Sequence, residues 1–520
     1  MNSFSLRRLI ATVALVFLGL VINVRAADTY REPWRPQFHF TPATNWMNDP
    51  NGMVFYDGEY HLFYQFNPFG DKWGHMSWGH AVSKDLVRWE HLPIALYEEN
   101  DVMIFSGSAV VDWKNTSGFG RDGQPPMVAI YTGHYTKKPL QNQQLAYSND
   151  RGRTWTKYTG NPVLELGEKD FRDPKVFWHK PTQRWVMAVS WPVQRKVRFY
   201  SSPNLKNWTH LSDFGPAGST NGIWECPDLF PLAVEGKRGA EKWALVVNVG
   251  SGAPAGGSGC QYFVGDFDGK IFTSARATNE PALWADWGRD FYAAVSWSDI
   301  PKRDGRRLWL GWMSNWDYAN DVPTSPWRSA MSIPRELSLR ETPDGLRLVQ
   351  QPVRELEKLR GKRHRLGKST VAEANAWLER LKFGSDLLEI SVEFEPVPVA
   401  GKMGLRIITG ANEAVVIRCR MPEGRLTLDR TQSGQMNFHP KFSGIHEAPV
   451  RLTEGRLRLH VFLDTSSVEL FASDGETVLT DLILPTGVRR QLELTSEPNS
   501  GARHVRALEI WELRESDNRR

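Results

Sequence analysis

Three copies of one pattern constrain the fold of this chain more than any other feature. His80–Trp89 reads HAVSKDLVRW, Leu145–Trp155 reads LAYSNDRGRTW and Phe199–Trp208 reads FYSSPNLKNW. Each reads as a strand, a polar turn and a second strand carrying Trp. The tryptophans fall 66 and then 53 residues apart, and a degenerate fourth hairpin follows at Tyr262–Phe272. Strand–turn–strand units recurring at this interval predict β-propeller blades better than a sandwich. Trp89, Trp155 and Trp208 are then blade core, not ligand platforms.

The texture changes near Thr342. Residues 343–368 are rich in Pro, Gly, Lys and Arg, with a helix-like stretch at Val353–Leu359, and read as a linker. Beyond it, Leu405–Ile408, Glu413–Arg418, Arg425–Leu428 and Arg456–Leu463 alternate apolar and polar residues. Period-two alternation with tight turns such as Asp474-Gly475 predicts an antiparallel β-sandwich. The expected organisation is an all-β chain: a β-propeller over 30–342, a linker over 343–368 and a β-sandwich over 369–516.

The first 26 residues stand apart. Arg7 and Arg8 precede an uncharged, mostly apolar run from Leu9 to Ile22 and the small-residue stretch Val24-Arg25-Ala26-Ala27. That order is a secretory signal peptide, and the run is short for a membrane span of about 20 residues. Cleavage after Ala26 removes Arg7, Arg8 and Arg25, so the net charge drops from +5 to +2. A mature chain so close to neutral has no nucleic-acid footprint. The expected product is secreted or periplasmic and free of the membrane after cleavage. Cys226, Cys260 and Cys419 are too few for a disulfide framework and read as buried thiols.

Three carboxylates occupy related settings. Asp49 lies in Trp46-Met-Asn-Asp-Pro-Asn-Gly52, Asp173 in Phe171-Arg-Asp-Pro-Lys-Val176, and Glu225 in Trp224-Glu-Cys-Pro-Asp-Leu-Phe230. A single Asp-Pro at a strand entrance is ordinary turn chemistry. Three such sites, each opening a different blade, can meet on one propeller axis. Glycoside cleavage needs such a meeting, with one carboxylate to attack and another to protonate the leaving oxygen.

With these motifs the chain resembles family 32 of the glycoside hydrolases, the invertase, inulinase and levanase family. Supporting matches are Trp78–His80, Phe105–Ser108, Gly311–Trp316 and Val468–Ala472, in order along the chain. The stretches Asp290–Trp297 and Trp309–Arg328 look most like bacterial exo-levanases and exo-inulinases. The resemblance implies a five-bladed β-propeller followed by a C-terminal β-sandwich. It implies Asp49 as nucleophile, Glu225 as general acid/base and Asp173 as the transition-state stabiliser. It further implies a fructose pocket lined by Trp46, Asn48, Gln65, Trp73, Phe105, Ser106, Arg172 and Trp316. The implied activity is retaining release of terminal fructose from levan, inulin and sucrose through a covalent fructosyl-enzyme.

Other features read more plainly. His75 and His80 lack metal-ligand spacing with carboxylates, so no metal and no cofactor is expected. Gly250–Gly259 lacks the Gly-Lys-Ser/Thr ending of a phosphate loop and reads as a flexible loop near the pocket rim. Cys226 reads as packing, and Arg360–Lys368 as a solvated linker. Fructosyl transfer by the same residues, an arabinan-type furanosidase and a non-catalytic sugar-binding propeller remain the alternative readings.

Overall fold

The computed structural model describes residues 30–395, 401–452, 455–487, 490–496 and 504–516. The expected signal peptide lies outside the described residues. Five antiparallel sheets follow one another from Asn45 to Pro352. Their innermost strands are Asn45–Tyr56, Val102–Val111, Arg172–His179, Trp224–Ala233 and Tyr292–Ser296. Each packs against the next, and the fifth packs against the first, so the five blades close into a ring. Trp327–Arg328 adds a parallel strand to blade 1 and helps fasten that closure.

The recurring Trp pattern has a local cause. Ser83 Oγ, Ser148 Oγ and Ser202 Oγ each accept the backbone N–H two residues on, at Asp85, Asp150 and Asn204. Asp85 Oδ1 and Asn204 Oδ1 each accept two further turn N–H groups, and Asp150 Oδ1 accepts that of Thr154. The following residues Leu86, Arg151 and Leu205 turn through positive φ. Trp155 and Trp208 then fold back and donate Nε1–H to turn carbonyls three residues earlier. Trp89, Trp155 and Trp208 all pack in blade clusters, as expected of core residues. At about 1 kcal/mol net per hydrogen bond, the repeated turn stabilises each blade edge.

Residues beyond blade 5 form a seven-stranded and a five-stranded sheet that face one another. Val371–Arg380, the single α-helix among the described residues, begins with a Thr370/Glu373 capping box. The linker expectation needs correction. Gly345–Pro352 is the outermost strand of blade 5, and Arg360–Leu366 is a strand of the larger sandwich sheet. Only Val353 and the 3-10 helix Arg354–Leu359 connect the two parts. The charged residues of 360–368 misled because an edge strand tolerates them: Arg360 pairs with Glu389 and packs on Trp511.

The interface between the two parts carries buried charge. Arg335 of blade 5 is fully buried, bonded to Asp286, Glu469 and Thr480. Arg430 of the sandwich bonds Asp290 and Tyr318. Removing one partner from such a set strands a desolvated charge, at a cost of roughly 3–5 kcal/mol. The sandwich is thereby locked to the blade that borders the axial pocket.

Candidate active site

Every innermost strand carries a bulge at its axial end. Register breaks fall between Met47 and Pro50, Ile104 and Gly107, Arg172 and Lys175, Glu225 and Asp228, and Tyr292 and Val295. A bulge inserts an unpaired residue and re-aims its side chain. In blades 3, 4 and 5 the turning residues Asp173, Cys226 and Ala293 have φ of 66°, 43° and 52°. Such left-handed non-glycine residues cost about 1–3 kcal/mol each, strain of the kind that gathers at functional sites. The motif glycines answer close approaches: a Cβ on Gly52 would lie 2.6 Å from the Phe63 ring, and one on Gly107 would lie 2.1 Å from the Ile130 carbonyl oxygen.

The bulges converge on an axial pocket of about 640 Å3. Asp49, Asp173 and Glu225 all line it, together with Asn48, Gln65, Trp73, Phe105, Ser106, Arg172 and Trp316. Below them the axis is filled by buried Asn51, Lys175 and Asp228, with Lys175 Nζ 3.2 Å from Asp228 Oδ2. The pocket is therefore a dead end.

Asp49 accepts hydrogen bonds from Asn48 Nδ2 at 2.9 Å and Ser106 Oγ at 2.7 Å. Both fix its carboxylate plane. Burial raises its pKa, and the Glu225 charge adds to that, while the Ser106 and Asn48 donors oppose it. Asp173 accepts the Cys226 backbone N–H at 2.9 Å. Burial pushes Asp173 up to about 7; Arg172 pulls it down, and the charges of Glu225 and Asp49 push it up. Glu225 receives Arg172 Nε at 3.0 Å on one oxygen and the Tyr292 hydroxyl at 2.5 Å on the other. Burial and the Glu225 charge hold the Tyr292 hydroxyl well above its usual range, so it stays protonated and donates. Arg172 is anchored in turn by Asp170 at 2.9 Å and Gln141 at 3.2 Å.

Trp46 requires a correction. It is fully buried and absent from the pocket wall, packed in a cluster with Phe105, Cys226, Tyr292, Trp312 and Trp316. Its Nε1–H donates to Asn48 Oδ1 at 2.7 Å, and its ring stacks on Trp316 at 6.1 Å. It orients two lining residues without touching the cavity. Cys226 does more than pack: its Sγ sits 3.5 Å from Asp49 Oδ2, held neutral by burial and three nearby carboxylates. The Gly250–Gly259 segment supplies Gly250 and Ser251 to the rim, and Asn315 Nδ2 ties it down through the Gly256 and Ser258 carbonyls.

Sequence reasoning missed Tyr292, His134, Gln141, Asp170, Arg195 and Asn221 at this site. Tyr292 stood inside the Asp290–Trp297 resemblance, yet nothing in the local pattern tied its hydroxyl to Glu225. The others are loop or mid-strand residues with no motif of their own.

A five-bladed propeller whose axis gathers three carboxylates, an arginine and an aromatic wall defines a glycoside hydrolase. The sequence profile of the glycosyl hydrolases family 32 N-terminal domain matches residues 39–352, and that of the family 32 C-terminal domain matches 355–512. The chain belongs to glycoside hydrolase family 32. It is 52% identical to a levanase of Bacillus subtilis over 516 residues, 98% of this chain and 75% of that one. It is 40% identical to an extracellular exo-inulinase of Aspergillus niger, over 92% of this chain and 94% of the other. An exo-inulinase crystal structure from Aspergillus awamori superposes with a TM-score of 0.85 at 36% identity, covering 94% and 99% of the chains. A β-fructofuranosidase of Schwanniomyces occidentalis complexed with fructosyl-erythritol gives 0.83 at 30% identity with the same coverage.

Proposed function

We propose that this protein is an exported β-fructosidase that releases terminal fructose from levan, inulin and sucrose with retention. The observation that carries the reading is the meeting of Asp49, Asp173 and Glu225, from three blades, in one dead-end pocket. Similarity to a levanase and to exo-inulinases supports the substrate class. Export rests on the leader-like segment and on the extracellular relatives, with the medium or periplasm as destination. The substrate is a neutral polyol, and no nucleic acid is expected as a partner.

In this mechanism Asp49 attacks the anomeric carbon of the terminal fructose while Glu225 protonates the departing oxygen. Asn48 and Ser106 hold Asp49 in line. Positive charge builds on the fructose ring, where Asp173 stabilises it electrostatically. Arg172 and Tyr292 fix the Glu225 carboxyl between two donors. Glu225 then takes a proton from water as that water displaces Asp49.

Incubation of the purified protein with sucrose, inulin and levan, with products followed in time, tests the reading. Free fructose from a fructan supports it. Growth of longer oligosaccharides from sucrose, with little free fructose, would instead assign a transferase.

A further inference from the structure

Blade 1 carries an exposed aromatic ring outside the pocket lining. The loop between Glu59–Asn67 and Ser77–Ser83 of blade 1 exposes Phe69 over 76% of its surface and Trp73 over 40%. Both rings are among the few large apolar side chains left open among the described residues.

The loop is pinned at nearly every turn. Asn67 accepts the Phe69 N–H at 2.9 Å and donates its side-chain amide to the Lys72 carbonyl at 2.8 Å. Asn45 Nδ2 donates to the Pro68 carbonyl, and the Trp46 N–H to the Gly70 carbonyl, each at 2.9 Å. Asn320 of blade 5 accepts the Trp73 N–H at 2.9 Å on its side chain and the Lys72 ammonium on its carbonyl. Arg328 reaches Asp71 at 3.2 Å. A ring held out on so rigid a support loses little conformational freedom when it stacks on a ligand.

One wall of the pocket is an aromatic row. His134 stacks on Phe105 at 4.4 Å, and Phe105 meets Trp73 edge-on at 6.0 Å; all three line the cavity. Four residues back along the loop, Phe69 packs against His75 at 5.3 Å and leaves most of its ring to solvent. A dead-end pocket takes the chain terminus, so the rest of a polymer must cross the rim.

We propose that Phe69 is a distal stacking platform for the fructan chain, with Trp73 as the lip between platform and pocket. This rests on the fructan reading above. Apolar C–H faces of furanose units suit an open aromatic ring, and a neutral polyol needs no charge partner there. A single ring is far too small for a stable protein interface, which buries about 1,200 Å2 or more.

The test compares wild type, Phe69→Ala and Phe69→Trp on sucrose, long-chain inulin and levan. Phe69→Ala is expected to raise the KM of the polymers about fivefold, with kcat little changed and sucrose constants preserved. Phe69→Trp should keep the wild-type values. Equal losses on sucrose and polymer, or no loss on any substrate, would overturn the platform. A changed sedimentation mass in Phe69→Ala would assign the ring to contact between copies and overturn it too. A wild-type enzyme inert on both polymers defeats the fructan reading itself, whereas an active wild type with an unaffected Phe69→Ala defeats only the platform.

Discussion

The Tyr292 hydroxyl donates to Glu225 Oε2 at 2.5 Å, joining blade 5 to the proposed acid/base on blade 4. A hydrogen bond to a charged group is worth roughly 1.5–3 kcal/mol. Tyr292→Phe is therefore expected to lower kcat/KM about ten- to a hundredfold while thermal unfolding stays close to wild type. Steady-state kinetics on sucrose, beside a melting curve, checks both halves. Unchanged kcat/KM would leave Tyr292 a packing residue only.

Asp49 is the proposed nucleophile because Asn48 and Ser106 hold its carboxylate at the pocket base. Asp49→Ala should lower turnover on the order of a thousandfold or more, with the fold retained. Activity near wild type in that variant would refute the assignment.

Glu225 is distinguished from a structural carboxylate by its dependence on the leaving group. Glu225→Ala should lose most activity on fructosyl sugars and keep more on an aryl fructoside, whose leaving group needs little protonation. Azide should partly rescue the aryl substrate by replacing the water that Glu225 activates. Absence of both effects would point to another role.

The filled axis below Asp49 and Asp173 predicts attack at chain ends. In a short digest of inulin, free fructose should appear first and mean chain length should fall slowly. Chromatography showing three- to five-unit fructans ahead of free fructose would mean an open groove.

Stability should fall at alkaline pH through His39. Burial alone would lower its pKa, but hydrogen bonds with Asp464 at 2.7 Å and Glu469 at 2.8 Å carry it up to about 9. The folded value exceeds the unfolded one of about 6.5. The stabilisation is therefore fully present below about pH 6.5 and lost as pH rises through 9, at a few kcal/mol in total. Calorimetric Tm values from pH 6 to 10 should decline across that window, and His39→Gln should flatten the decline.

The sequence by itself determined the building units and singled out the three carboxylates that meet in the pocket. Ser-X-Asp and Ser-X-Asn turns followed by Trp are local chemistry, so the blades were legible. Apolar alternation at Leu405, Ile407, Val415 and Ile417 likewise marked one buried face of the sandwich. Asp49, Asp173 and Glu225 were legible because each sits in a motif that opens an innermost strand.

Tertiary structure alone decided which side chains these groups meet. Tyr292 reaches Glu225 across 67 residues of chain, and only closure of the ring puts the two blades side by side. Trp46 neighbours the pocket in sequence yet lies buried behind Asn48 and Trp316, because the register break beginning at Met47 changes which side chains face the axis. The 343–368 stretch looked like a linker because its charges find partners such as Glu389 and Glu509 in strands distant in sequence. Side-chain direction at a bulge and pairing across long loops depend on contacts that no local pattern encodes.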